Sequence, residues 1–440
     1  MSTPDTPQLR RELGLADGLA LMLGMTIGAG IFAGPGRVAG YFASFPAVAL
    51  AWFGGALFAL AGTLLYAELG TRLPHTGGEY VYLHRAFGPL PAFLYGWSQL
   101  LVIRTNPGAA LSLVFAEYFS SLIPLSENGR LAMAAGVLAL LGAVNYFGLR
   151  SGKTVQAITT ILKVGGIVAF VAAGVWMLPH AAANLASTHV PPQKLGPLGN
   201  TAGAMLLIIF AYVGWDRVGY LAGEMRDPVR TLPRVLLAGA GLVAFLYLSL
   251  NFVCFAALPI SSLSGSRVAV AEVARLFWGP AGLTLLALVV MVSTSGSTNG
   301  TIMATSRVYY AMARDGLFFT SFARVHPRWR SPHVAVVAHC AWAIVLLLAS
   351  RTVETLVGSY VFAILIFYGA VAVAYFKFRR QGPAAFMAPG YPWLPALYLA
   401  VCVTLTAATC YFNTRSAVAN LALMGTGLPL YFLWKKFGRS

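Results

Sequence analysis

The sequence predicts an all-helical polytopic membrane protein of about twelve transmembrane helices, two of them discontinuous. Three observations carry this. Hydrophobic residues make up 58% and charged residues 10% of the chain, with a mean hydropathy of +0.74, whereas a soluble domain carries about 25% charged residues. Apolar runs of around twenty residues recur along all 440 positions, each long enough to cross roughly 30 Å of hydrocarbon. Two of those runs, the first and the sixth, are interrupted by glycine-containing stretches.

The spans follow in order. Met1 to Arg11 is polar and no cleavable signal peptide is evident. The first span, near 14–42, is broken at GMTIGAGIF, Gly24 to Phe32, where three glycines each weaken a helix by about 1 kcal/mol relative to alanine. The second runs near 45–70. The third, near 88–121, carries Arg104, and Asn106–Pro107 beside it predicts a kink. Spans four and five lie near 129–147 and 153–178, the latter carrying Lys163. The sixth, near 200–222, breaks at FAYVGWD, Phe210 to Asp216. The rest lie near 232–258, 279–312, 333–350, 354–378, 391–411 and 416–434. The longest polar connections are Pro179–Asn200 outside and Asp315–Pro332 inside, leaving room for one transmembrane domain only.

The net charge of +17 raises the question of a nucleic-acid partner, and its distribution answers it. With both termini cytoplasmic, 21 of the 30 basic residues fall in inner segments and 7 in outer ones, leaving Arg104 and Lys163 inside spans. A threefold inner excess orients membrane helices. Nucleic acid is not implied. Cys254, Cys340, Cys402 and Cys410 all lie in or beside apolar spans, so they read as small buried residues rather than a disulfide framework.

The breaks supply the chemistry. They lie five spans apart, so the two halves have opposite topology, and paired broken helices in inverted halves mark a substrate site at their interface. A free peptide group in lipid costs several kcal/mol unless protein, water or ligand satisfies it. After Gly28, the amides of Ala29, Gly30 and Ile31 open a new half-helix whose dipole favours a carboxylate. Carbonyls around Phe210, Ala211 and Val213 suit an ammonium. Such a pocket fits an α-amino acid. The competing structural reading is that Gly28 and Gly30 merely allow close helix packing.

GMTIGAGIF, YAELGTRLPHTGGEYVYLHRAFGPLPAFLYGW, LLVIRTNPGAALSLVFAEY, FAYVGWDRVGYLAGEMRDPVRTLPR and GSTNGTIMATSRVYYAMARDG resemble the L-type amino acid transporters, members of the amino acid–polyamine–organocation superfamily. The likeness runs from about Leu13 to Arg380. It implies ten core helices in a 5+5 inverted repeat, here about 14–178 and 200–378, plus two extra helices at about 391–434, with alternating access. By that resemblance the carboxylate meets Ala29 and Gly30, the amine meets carbonyls at Thr26, Phe210, Ala211 and Val213, and the Phe210 ring serves as a gate. Eukaryotic members of the group bond covalently to a single-span glycoprotein through a cysteine between spans three and four. That loop reads SSLIPLSENGR here, so no covalent heavy-chain partner is expected. Val213 is apolar where relatives carrying cationic amino acids can have an acid, which argues for neutral substrates.

Lys163 within a span is costly unless it finds acceptors, at least about 2.5–3.5 kcal/mol at the bilayer centre. Snorkelling to the interface would be the structural explanation. Facing the first break, it would donate to open carbonyls in place of a sodium ion, as the resemblance implies for sodium-independent members. Because burial disfavours a charged ammonium, proton coupling through Lys163 stays open beside exchange. Arg104 must face the interior, with no acidic partner nearby in sequence. Arg104, Trp215 and Asn299 are pathway candidates. Asp17, Glu68, Glu79, Asp216, Glu224 and Asp227 group toward the inner side with Arg72, Arg217 and Arg226. His339 reads as a satisfied buried histidine, and Trp52, Tyr82, Trp176, Trp393 and Trp434 as interfacial anchors.

No HExxH or GxSxG occurs, which argues against an enzyme, and no metal or cofactor is implied. A channel would want a polar stripe or filter, and none is found. The expectation is a sodium-independent exchanger of neutral L-amino acids in a bacterial inner membrane, with a proton-coupled symporter and a non-transporting receptor as alternatives.

Overall fold

The structure, a computed structural model, describes residues 14–74, 78–147, 152–176, 181–192, 195–314, 316, 318–329 and 331–437. Of the basic residues counted above, Arg10, Arg11, Arg150, Lys194, Arg330 and Arg439 lie outside this set, as do the side chains of Lys153, Arg307, Arg314 and Lys436; the side chains of Glu224 and Trp434 lie outside it too.

The first broken span is a pair of helices, α1 (Leu15–Thr26) and α2 (Ala29–Ala39). The second is α3 (Phe45–Arg72), and α4 (Glu79–Phe87) leads to α5 (Pro89–Ser98). A π-helical turn over Gln99–Ile103 joins α5 to α6 (Thr105–Ser120). This is where the sequence predicts a kink, and its cause is visible. Pro107 has no N–H to offer Ile103, and the ladder re-registers, with Arg104 N donating to Gln99 O at 3.0 Å. The Thr105 hydroxyl and Asn106 amide donate to the carbonyls of Leu100 and Val102 at 2.9 Å each.

Next come α7 (Glu127–Tyr146), α8 (Gly152–Gly174) and α9 (Ala181–Leu185). The second broken span is α10 (Gly196–Tyr212) followed by a 3-10 helix over Trp215–Glu224. Then follow α11 (Pro228–Ala257), α12 (Ile260–Leu263) and α13 (Ala269–Arg314), which kinks at Trp278 and Gly279, where Gly279 takes φ +64°. The chain ends with α14 (His333–Ser350), α15 (Val353–Arg379), α16 (Trp393–Phe412), α17 (Thr414–Gly425) and α18 (Gly427–Phe437).

Among the described residues, ten helices or helix pairs are long and apolar enough to cross a membrane, and Thr159–Gly174 is a shorter apolar helix. Among the described residues the only β pairing is an isolated bridge between Ser44 and Thr188. Apolar side chains stand outward on the long helices, Leu50 and Ile161 each 71% exposed and Phe245 65%, as a lipid-facing surface requires.

The broken spans sit at the centre. Helix α1 packs on α11 and α8, α2 on α10 and α13, and α3 on α11. Two anchors expected at the interface are instead core residues. Trp52 is fully buried, edge-on to Tyr212 and Tyr247, and Tyr82 is buried against Tyr66, because the helices carrying them pack inside the bundle. Trp176 and Trp393 are exposed.

Candidate functional site

Each break leaves backbone groups to account for. In α1, Leu23 O accepts from Ile27 N at 2.8 Å, and Ile27 then leaves the helix with ψ 92°. The carbonyls of Gly24, Met25 and Thr26 have no helical partner beyond that point. Lys163 Nζ donates to Gly24 O at 3.0 Å and to Ser297 Oγ at 2.9 Å, and the Tyr247 hydroxyl donates to Thr26 O at 3.1 Å. Helix α2 then starts at Ala29, so the amides of Ala29, Gly30 and Ile31 face forward without helical acceptors.

At the second break, Ile209 O accepts from Val213 N at 2.9 Å, and Val213 is extended. The carbonyls of Phe210, Ala211 and Tyr212 end the half-helix. Gly214, at φ +136°, reverses the chain into the 3-10 helix, a conformation for which glycine is the default residue.

The breaks interlock. A β-carbon on Gly30 would lie 2.5 Å from Ala211 Cα, and one on Gly214 would lie 2.6 Å from Met25 O and 2.8 Å from Thr26 Cα. Close packing and exposed peptide groups therefore occur at the same glycines, and the packing explanation is not an alternative to the site. Gly28 is looser, its nearest neighbours being Leu111 at 3.5 Å and Ser297 Oγ at 3.6 Å.

Between the breaks is a cavity of about 20 Å³, lined by Met25, Thr26, Gly28, Ala29, Gly30, Pro107, Leu111, Phe210, Val213, Arg217, Ser297 and Tyr360. That is room for about one water molecule, so a larger ligand enters only with movement. The Phe210 ring is half-buried and stands edge-on to Tyr360 at 5.9 Å between centroids. Six of the eight residues expected at the substrate, Thr26, Gly28, Ala29, Gly30, Phe210 and Val213, thus line one cavity, while Ile31 and Ala211 are buried beside it.

Three expected pathway residues point elsewhere. Trp215 is buried, stacked on Tyr368 at 5.6 Å and edge-on to Tyr66 at 4.9 Å. Asn299 Oδ1 accepts from Asn145 Nδ2 at 2.7 Å, on the side of α13 that meets α7. Arg104 has the acidic partner that its sequence neighbourhood lacks, because the fold brings up Asp216 from 112 residues away; Nη2 donates to Asp216 Oδ2 at 2.9 Å and Nε to Gln99 Oε1 at 2.8 Å. His339 is fully buried and less satisfied than its sequence setting suggests. Its Nδ1 is 3.4 Å from the Tyr309 hydroxyl, and among the described residues its Nε2 has no hydrogen-bond partner.

The charge distribution puts Arg37 among the outer basic residues and Arg217 among the inner ones, yet both are buried. Arg217 lines the central cavity. Arg37 closes α2 with Nη2 on Glu117 at 2.7 Å and Nε on Glu354 at 2.6 Å, beneath a larger cavity of about 420 Å³ that also meets Arg130, Arg267 and Arg351. At the opposite end of the bundle, Glu68 gathers Arg72, Arg379, the Tyr375 hydroxyl and Ala388 N. Two other acids of that group act locally: Asp17 accepts from Gly14 N at 2.9 Å, and Asp227 caps α11 by accepting from Arg230 N at 3.3 Å. Basic residues beside a break look like loop charges in a hydropathy profile, so only their adjacency to Gly214 or to the end of α2 could have signalled burial.

A family model described as amino acid permease matches residues 13–433. The chain is 31% identical to the serine/threonine exchanger SteT of Bacillus subtilis (strain 168), over 97% of this chain and 98% of that protein. It is 30% identical to the b(0,+)-type amino acid transporter 1 of Homo sapiens, over 83% of this chain and 75% of the relative. It is also 30% identical to the large neutral amino acids transporter small subunit 2 of Mus musculus, over 97% and 81% respectively.

Proposed function

The chain belongs to the amino acid permease family, and from that premise we propose that it is a sodium-independent exchanger of neutral L-amino acids. It is a multi-pass membrane transporter, not an enzyme. In the proposed reading about twelve spans are arranged as two inverted five-helix repeats, about 14–178 and 200–378, with extra helices at about 391–434. Both termini are cytoplasmic, the membrane is a bacterial inner membrane, and no covalent heavy-chain subunit is needed.

The observation that carries the reading is the interlocking of two broken helices around one cavity. The substrate carboxylate would take the amides of Ala29, Gly30 and Ile31 at the α2 dipole. Its ammonium would take the carbonyls of Thr26, Phe210, Ala211 and Val213, with Phe210 as the gate. Lys163 supports sodium independence: its ammonium joins Gly24 of the first break to Ser297 of α13, where a bound cation would otherwise be needed to satisfy those oxygens. A similar protein is named a serine/threonine exchanger, which supports exchange over one-way transport.

Proton-coupled symport is the second reading, favoured by one observation. Lys163 bonds only neutral acceptors among the described residues, so loss of its proton strands no carboxylate. Reconstituted proteoliposomes separate the two. Radiolabelled neutral amino acid should accumulate only when unlabelled amino acid is loaded inside, with no change when sodium is replaced by choline. Accumulation driven by a pH gradient alone would select symport. No movement under either condition would leave a receptor.

A further inference from the structure

The cavity between the breaks holds a cation that neither end of an α-amino acid uses. Arg217 follows the Gly214 turn, its N–H donating to Gly214 O at 3.3 Å. It is 8% exposed and lines the cavity with Thr26, Phe210, Val213 and Tyr360. One side of its guanidinium is fixed: Nη1 donates to Thr301 Oγ1 at 3.0 Å, and that hydroxyl spends its own proton on Ser297 O at 2.9 Å, so a lone pair faces Arg217. Among the described residues, Nε has no hydrogen-bond partner. The carboxylate next in sequence, Asp216, is engaged by Arg104, and Arg217 makes no ion pair among the described residues.

A buried guanidinium with an unspent donor is costly unless something accepts from it. With the substrate carboxylate on the α2 amides and its ammonium on the half-helix carbonyls, the only part of an amino acid left to meet Arg217 is the side chain. Guanidinium donates and never accepts. The hydroxyl-bearing residues Thr26, Ser297 and Tyr360 share this lining, and the remaining side chains there are apolar or aromatic: Met25, Pro107, Leu111, Phe210 and Val213.

We propose that Arg217 reads the substrate side chain, selecting amino acids that present an oxygen acceptor there and rejecting both aliphatic isosteres and cationic side chains. This rests on the breaks being the backbone site. A site built to bond a substrate oxygen discriminates strongly against the analogue lacking it, because its own donor is left unpaired.

The test is competition against labelled alanine counterflow with the full chain in proteoliposomes. Threonine and valine have the same shape and differ by a hydroxyl for a methyl; asparagine against leucine and aspartate against lysine extend the series. Threonine should compete at least about tenfold better than valine. Arg217→Met should bring that ratio to within about threefold of unity whatever its absolute rate, while Arg217→Lys should keep a preference for threonine. The asparagine and aspartate arms show whether the acceptor read is hydroxyl, amide or carboxylate. If Arg217→Met does not fold, ligand-induced thermal stabilisation of the wild-type protein gives the same ratio. Alanine exchange with equal threonine and valine competition would overturn the inference and leave the transporter reading standing, as would an unchanged ratio in Arg217→Met. Failure of every amino acid to exchange would overturn both.

Discussion

Gly30 at the start of one half-helix is packed so tightly on Ala211 at the end of another that a β-carbon on Gly30 would lie 2.5 Å from Ala211 Cα. Peptide N–H groups freed by one break and carbonyls freed by the other are thereby brought to a common cavity.

Gly30→Ala should destabilise the protein by about 1–3 kcal/mol, the cost of overpacking against backbone that cannot yield, and should abolish counterflow. Gly28→Ala meets only ordinary contacts at 3.5 Å and 3.6 Å, so its thermal stability in detergent should stay within about 0.5 kcal/mol of wild type. Equal stability for the two variants would contradict the packing.

Lys163→Met removes the donor from Gly24 O and Ser297 Oγ. Loss of a hydrogen bond from a charged group costs about 1.5–3 kcal/mol, so initial exchange rates should fall at least about tenfold. Restoration of activity by added sodium would point to a latent ion site; unchanged exchange would remove Lys163 from the mechanism.

Arg37 ties α2 to Glu117 of α6 and Glu354 of α15. Glu117 is 6% exposed in its side chain and Glu354 49%. Arg37→Gln, which leaves the buried Glu117 only the exposed Arg267 at 3.9 Å, should cost about 3 kcal/mol, and Glu354→Gln under about 1 kcal/mol. Opening of this end should also raise thiol labelling of a cysteine placed at Leu113, on the cavity wall. Labelling at the wild-type rate would show that Arg37 is no latch.

Asp216→Asn leaves Arg104 without its carboxylate in a buried setting, a loss of about 3–5 kcal/mol. The double variant Arg104→Gln, Asp216→Asn should lose clearly less than the sum of the single variants, measured by thermal unfolding in detergent. Additive losses would mean that the pair is not coupled.

Local chemistry made much of this readable in the sequence. Glycines inside an apolar run are conspicuous, so both breaks stand out, and a lone ammonium in a span must find acceptors, which pointed Lys163 at the first break. Pairings across the fold were not readable. Asp216 meets Arg104 across 112 residues and Glu354 meets Arg37 across 317, and neither separation leaves a periodic trace. Arg217 was hidden for a different reason. Hydropathy cannot tell a charge beside a break from a charge in a loop, and burial depends on which side of Gly214 the chain turns. Trp52 and Tyr82 near helix ends look interfacial until neighbouring helices are placed over them.

Blocking either end of the ligand tests the paired breaks most directly. Alanine, N-acetylalanine and alanine methyl ester should be compared as competitors of labelled alanine counterflow. Recognition of the carboxylate by the α2 amides and of the ammonium by the half-helix carbonyls predicts that each blocked form competes at least about a hundredfold more weakly, since each forfeits hydrogen bonds to a charged group worth about 1.5–3 kcal/mol apiece. Blocked forms that compete as well as alanine itself would contradict it.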